Sequence, residues 1–169
     1  PGEVLLSINN RDPQLHDLYR VELATGELTL VEENNEGFAG YISDSTLTPR
    51  LAMRMDEEGG EEVFRKGTDG WERIGYVPSD DGLTTHPHGF KGDSAVMYWT
   101  DSRDRNTGAL MEYDLETGES TLVASDDKAD VSDVMMHPTR REVEAVAFTY
   151  DRKRWIVLDE SVRGDLEFL

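Results

Sequence analysis

The sequence predicts an all-β chain: a β-propeller segment with two complete four-stranded blades, a partial blade on either side and a short C-terminal helix. Three observations carry this. Residues 18–31 (LYRVELATGELTLV) align without a gap on residues 110–123 (LMEYDLETGESTLV), at an offset of 92 with eight of fourteen positions identical. A weaker copy at 63–74 (VFRKGTDGWERI) lies between them, with Gly70 in the place of Gly26 and Gly118, giving steps of 44 and 48 residues. A period of about 40–50 residues made of short strands is that of a propeller blade. Finally, short apolar or alternating runs are punctuated by Gly, Asn, Asp and Pro, the grammar of strands and tight turns. A unit of this kind cannot bury its faces alone and stacks on neighbours.

Taken in order, residues 1–35 read as a partial blade. The apolar run 4–8 reads as a strand buried on both faces, broken by Asn9, Asn10 and Pro13. Tyr19, Val21 and Leu23 alternate with Arg20 and Glu22, and Thr25-Gly26 closes a hairpin into Leu28 and Leu30. Residues 36–78 read as a blade, with strands starting at 40–43, 51–55, 62–65 and 71–77. Residues 79–126 read as a second blade, with 95–99 its buried second strand and 109–115 and 120–124 its outer hairpin. Residues 127–159 give strands at 131–136, 144–150 and 155–158 with no fourth, and the first unit lacks its innermost strand. Residues 160–169 switch to helical spacing at Val162, Leu166 and Leu169, with Asp159 placed as N-cap. Both ends of the array therefore look cut, and the chain reads as an excised segment.

Composition narrows the function. The chain has 169 residues, no cysteine and a net charge of −19. Lack of cysteine removes disulfides and thiolate chemistry and leans towards a cytoplasmic location. Such an acidic surface repels nucleic-acid phosphates and anionic lipids, so neither nucleic acid nor membrane is expected as a partner. It is either a solvated surface of an acidic proteome or an acidic face for a cationic partner. No apolar run is long enough to span a bilayer, and no secretory apolar region is present.

Residues that could carry chemistry were weighed one by one. Ser94 follows Gly92-Asp93 and Ser120 follows Gly118-Glu119, but neither is followed by the second glycine of a nucleophile elbow, and Ser43 has no such context. No catalytic residue is assigned. His86 and His88, two apart on an extended segment, share a face and could suit a metal. Pro87 between them predicts an irregular approach to the turn at Gly89, with a cis linkage open. His137-Pro138 falls at what looks like the equivalent place one unit later, in the connection between first and second strands, which favours a structural loop. Residues 101–108 resemble a calcium loop only loosely, because Arg103 occupies a position needing oxygen. No metal or other cofactor is expected.

Several stretches resemble the N-terminal propeller of prolyl oligopeptidase-family serine peptidases, in the branch of bacterial acylaminoacyl-peptidases and dipeptidyl-aminopeptidase-like proteins. They are residues 9–27 (NNRDPQLHDLYRVELATGE), 101–103, 109–110 with 114–118 (DLETG), 133–138 (DVMMHP), 145–148 (AVAF), 152–155 (RKRW) and 157–159. The resemblance implies a propeller of about seven or eight blades capping an α/β-hydrolase domain with a Ser-Asp-His triad. No triad position falls within this chain. What the resemblance implies here is a non-catalytic portion that gates or docks peptides for the hydrolase domain, with that domain and peptides as partners. The other readings are a free-standing protein-interaction propeller of the translocation-factor type and a propeller lyase using the histidines on a metal.

Cut blade edges also predict self-association, or an edge hidden under the terminal helix. Loops joining second and third strands emerge on one face of a propeller. Here they are read as 9–15, 56–60, 101–107 and 151–154. Three of them carry Arg11, Arg103, Arg105, Arg152, Lys153 and Arg154, six of the chain's 17 basic residues. Arginine suits bidentate pairing with carboxylates, so this face is the candidate substrate or docking surface; ordinary hairpin solvation is the alternative.

Overall fold

The computed structural model describes residues 2–168. Among them fourteen strands form four antiparallel sheets of three, four, four and three strands, each in simple sequence order. The first holds β1 (Glu3–Asp12), β2 (Leu15–Glu22) and β3 (Leu28–Glu32); the second holds β4 (Gly40–Ser43), β5 (Pro49–Met55), β6 (Glu61–Lys66) and β7 (Trp71–Val77). The third holds β8 (His86–Phe90), β9 (Val96–Asp101), β10 (Ala109–Asp114) and β11 (Ser120–Ala124); the fourth holds β12 (Val131–Met136), β13 (Val143–Thr149) and β14 (Lys153–Val157). This is a propeller segment with two complete blades and two three-stranded ones. The chain divides into two compact units, 1–79 and 80–169, of two sheets each.

The sequence repeat is a repeat of structure down to single hydrogen bonds. In the β2–β3 hairpin, Gly26 N–H donates to Glu22 O and Glu22 N–H to Glu27 O. At the same offset, Gly118 N–H donates to Asp114 O and Asp114 N–H to Glu119 O. Both glycines are left-handed, with φ of 73° and 76°, a region other residues enter at a cost. Thr25 and Thr117 each accept from the residue two ahead. Both hairpins also carry a register shift at the same place, between Leu18 and Tyr19 and between Leu110 and Met111. By this alignment β1–β3 correspond to the second to fourth strands of the third sheet. The weaker copy at Gly70 closes a different turn, Gly67 N–H to Gly70 O.

In residues 1–79, Phe38, Ala52 and Phe64 form a buried cluster with Tyr41 and Trp71 packed on it. Phe38 meets the Tyr41, Phe64 and Trp71 rings edge-on at 5.8, 5.1 and 5.2 Å, the geometry the ring quadrupole favours. Glu32, from β3, accepts from Lys66 and from the Trp71 indole, and so ties the first sheet to the second. The run 4–8 departs from expectation. The face it shares with Tyr19, Val21, Leu28 and Leu30 is open, with Leu6 and Leu30 about half exposed. The sheet meets its neighbour through the other face, where Leu18 is buried and Arg20 reaches the Thr46 and Leu47 carbonyls. Strand β1 also runs on to Asp12 beyond the predicted break, because Asn9 and Asp12 cap the short turn at Pro13 and Gln14 from within it.

In residues 80–169 the core lies between the third and fourth sheets. Tyr98, Leu110 and Ala124 pack against Val143, Val146 and Phe148. Burying side chains of the size of Val146 and Phe148 stabilises by about 1.5–3 kcal/mol each. After β14 a 3-10 turn (Glu160–Val162) leads into α1 (Arg163–Phe168), and the Asp159 carboxylate accepts from Ser161 N–H as the predicted N-cap. Leu166 and Arg163 border a groove with Trp155 and Val157, so the helix lies beside β14. Leu169, the last position of the predicted helical pattern, lies outside the described residues.

Candidate functional site

The predicted basic face resolves into paired and unpaired cations. Arg11 stands in strand β1, not in a loop, and grips Asp17 with two hydrogen bonds of 2.8 Å while a third reaches the Asn34 carbonyl. Those Arg11 hydrogen bonds hold the Asp17 carboxyl below the usual carboxylate range. Arg103 forks onto Asp101 at 2.9 and 2.6 Å. Burial pushes the Asp101 carboxyl up, and the Arg103 bonds more than offset it, so it sits below its ordinary value. Lys153 and Arg154 belong to β14 rather than to the loop before it, and pair with Asp133 and Asp126. Arg105 and Arg152 make no side-chain ion pair among the described residues and are exposed. In a chain this acidic most arginines find a carboxylate at home, which the sequence count did not weigh.

The arginine-bearing β9–β10 loop and the start of β14 converge on one connector. Thr107 donates to the Asp126 carbonyl at 2.5 Å, Gly108 N–H to the Asp130 carboxylate at 2.7 Å, and Arg154 to the Asp126 carboxylate. The Asp126 carboxyl is lowered first by the Lys128 backbone N–H and further by Arg154. Asp126 thus fastens the β9–β10 loop and the start of β14 to the segment between β11 and β12. Asp126 was not foreseen, because an Asp in an acidic loop gives no sequence signal.

The histidines occupy different places from those expected. His86–Phe90 is itself the first strand of its sheet, so His86 and His88 are not in a connection, whereas His137 is. The run HPHGF carries no strand signal, and Pro87 is tolerated because β8 is an edge strand with no ladder donor required there. A bulge separates Pro87 from Gly89, and no peptide bond is cis among the described residues. The two rings do share a face, at 4.8 Å, and His88 Nε2 lies 2.6 Å from the Thr100 hydroxyl. Burial lowers the His88 imidazole to about 4, with His86 adding to the effect. No cluster of three metal-ligating side chains occurs among the described residues. His137 Nδ1 accepts from the Thr139 and Arg140 backbone N–H groups, a loop cap.

Neither a protein-family model nor a solved structure matches the chain. Two curated proteins do. The chain is 44% identical over its full length to dipeptidyl aminopeptidase BIII of Pseudoxanthomonas mexicana, covering 25% of that protein. It is 27% identical, over 98% of its length, to dipeptidyl peptidase family member 6 of Caenorhabditis elegans, covering 24% of it. This likeness along the whole chain agrees with the prolyl oligopeptidase-family resemblance of its sequence. It spans about a quarter of the length of the relatives it matches.

The two serines that follow a Gly-x pair have structural work. Ser94 Oγ donates to the Lys91 carbonyl and accepts from Val96 N–H, closing the β8–β9 turn. Ser120 opens β11 and pairs across to Tyr113. A buried hub that sequence reasoning missed joins Asp17, in the stretch 9–27, to Asn34 and Phe38 beyond it. Asp17 and Asn34 are both fully buried, and Asn34 N–H donates to Asp17 at 2.8 Å. The Asn34 amide donates to the His16 and Phe38 carbonyls and accepts from Phe38 N–H. The spacing of Arg11, Asp17 and Asn34 follows no period, so only the fold brings them together. No helix among the described residues is long and apolar enough to cross a membrane.

Proposed function

We propose that this chain is the non-catalytic propeller portion of a serine peptidase, one segment over 1–169, gating or docking peptides for an α/β-hydrolase domain of the parent protein. The observation that carries the reading is similarity along the whole chain to one quarter of a dipeptidyl aminopeptidase, in a stretch with no Gly-x-Ser-x-Gly. The partners of this reading are the hydrolase domain and peptides, in the cytoplasm, with self-association through open blade edges. The half-exposed leucines on the first sheet support that last point.

The docking face is proposed to comprise Arg11, Arg103, Arg105, Arg152 and Arg154. Arg105 and Arg152 are its available members, while the other three are each paired with a carboxylate of their own unit. The test is a full-length parent protein carrying Arg105→Glu and Arg152→Glu. Hydrolysis of a dipeptidyl-nitroanilide and of a decapeptide is followed at low and high salt. The docking role predicts a fall for the decapeptide that high salt reproduces in the unaltered protein. Unchanged rates for both substrates would remove the face from consideration.

A further inference from the structure

We propose that the groove between the β11–β12 connector and the β13–β14 turn is a binding site for a carboxylate-rich peptide segment, held by Arg152 and Lys128. This names a ligand class and a second cation for the docking reading above, and rests on it.

The groove has a volume of about 620 Å³ and is lined by Asp126, Lys128, Tyr150, Arg152, Lys153 and Arg154, over a floor that includes the buried Phe148. Its charges divide in an ordered way. Arg154 is neutralised by Asp126, and Lys153 by Asp133 at 2.8 Å. Lys128 and Arg152 have no carboxylate partner among the described residues, and the Lys128 ammonium rests 5.7 Å from the centre of the Tyr150 ring. Two uncompensated cations therefore line the same groove as an aromatic side chain that is 67% exposed, with Lys128 against its ring. The only lining carboxylate without a cation is Asp151. On a chain of net charge −19 a local excess of positive charge is uncommon, and the surrounding field would discourage any anion that lacked a direct contact.

The frame is rigid where it needs to be. The connector is pinned by Thr107 and Gly108 on one side and by Arg154 on the other. Pre-placed donors bind with less ordering cost. The Arg152 guanidinium offers a fork for one carboxylate, and Lys128 a point charge for the next. Tyr150 supplies apolar surface for the peptide stem between them. The open shape suits an extended segment, and the acidic remainder of the surface disfavours a long polyanion such as a nucleic acid.

The test uses the purified chain and fluorescein-labelled hexaglutamate amide, with labelled hexaglutamine amide as neutral control, read by fluorescence anisotropy at about 20 and about 300 mM salt, above and below a ~10 Å screening length. Hexaglutamate is expected to bind at low salt and hexaglutamine not. Arg152→Ala and Lys128→Ala are each expected to weaken binding about ten- to thirty-fold, the lower end of the scale of a hydrogen bond to a charged group. Asp151→Asn is expected to tighten it, by removing the one opposing charge. All three side chains are exposed, and circular dichroism checks that each variant folds. No binding at low salt, equal binding by the variants, or equal displacement of the probe by a hexathymidylate would overturn the proposal. The readout is made on the chain alone, so its failure leaves the peptidase-segment reading to its own activity test.

Discussion

Replacing Asn34 with Ala tests how the first two sheets are joined. Its side chain makes three buried hydrogen bonds, at 3.2 Å to the His16 carbonyl and at 2.8 and 2.9 Å to the Phe38 carbonyl and N–H. Each is worth about 1 kcal/mol net, and the two Phe38 groups left without partners cost about 1–3 kcal/mol apiece unless water reaches them. The expected loss is about 3 kcal/mol, since some relaxation is certain around a residue that links a strand end to a loop. At a urea dependence of about 2 kcal/mol per molar, the midpoint falls by roughly 1.5 M. Hydrogen exchange offers a local reading: the amides of Asn34 and Phe38 should exchange about a hundred-fold faster, the same energy expressed as an equilibrium constant. Asn34→Asp keeps the shape but loses both amide donors and sets a second carboxylate beside Asp17, so it should be no better tolerated. Leu83→Ser, at a side chain 94% exposed, is the neutral comparison. A midpoint for Asn34→Ala within experimental error of the unaltered chain would refute the latch.

Three further outcomes follow from other places in the fold. His88 has an ordinary pKa of 6.5 and about 4 in the folded chain, lowered by burial and by His86, with Asp133 opposing; the unfolded chain therefore takes up the proton first as pH falls. Its contribution to stability is complete above about 6.5 and is lost towards 4, by about 3 kcal/mol if fully shielded and about 1–2 kcal/mol once partial exposure is allowed for; His88→Gln should remove that part of the pH dependence of urea midpoints, and identical profiles would contradict it. Gly60→Ala should be strongly destabilising, because a Cβ there would lie 2.0 Å from the Tyr76 hydroxyl, which donates to Asp56 at 2.8 Å; a loss under about 1 kcal/mol in thermal melts would mean that Tyr76 moves aside freely. Phe148→Ala should cost about 3–5 kcal/mol by emptying the centre of the core between the third and fourth sheets, and a cost below about 1 kcal/mol would show that core to be loosely packed.

The legible part of the fold was the part written in periodic residues and in the repeat. The copy at 18–31 and 110–123 reproduces glycine turn, threonine cap and register shift together, since hairpin geometry is a local matter of a few side chains. Strand β8 escaped because its sequence, HPHGF, has no alternation, and its place at a sheet edge let it hold a proline. The exposure of Leu6 was illegible for another reason: an apolar run states what a strand can bury and says nothing of whether a neighbour covers it. At the candidate site, the cluster of arginines was visible as a count, but the pairing of Arg11, Arg103 and Arg154 with Asp17, Asp101 and Asp126 was not. One pair lies two residues apart, one six and one twenty-eight. Lys128 and Tyr150 become neighbours only through the packing of the connector on β13 and β14.

The central proposal is that these residues are the non-catalytic propeller portion of a serine peptidase. A fluorophosphonate that labels activated serines, followed by peptide mapping, tests it most directly. Applied to this chain and to a longer parent protein that hydrolyses a dipeptidyl-nitroanilide, it should label the parent at a single serine outside residues 1–169 and leave this chain unmodified. Stoichiometric labelling of Ser94 or Ser120, with turnover lost when that serine is changed to Ala, would contradict the account.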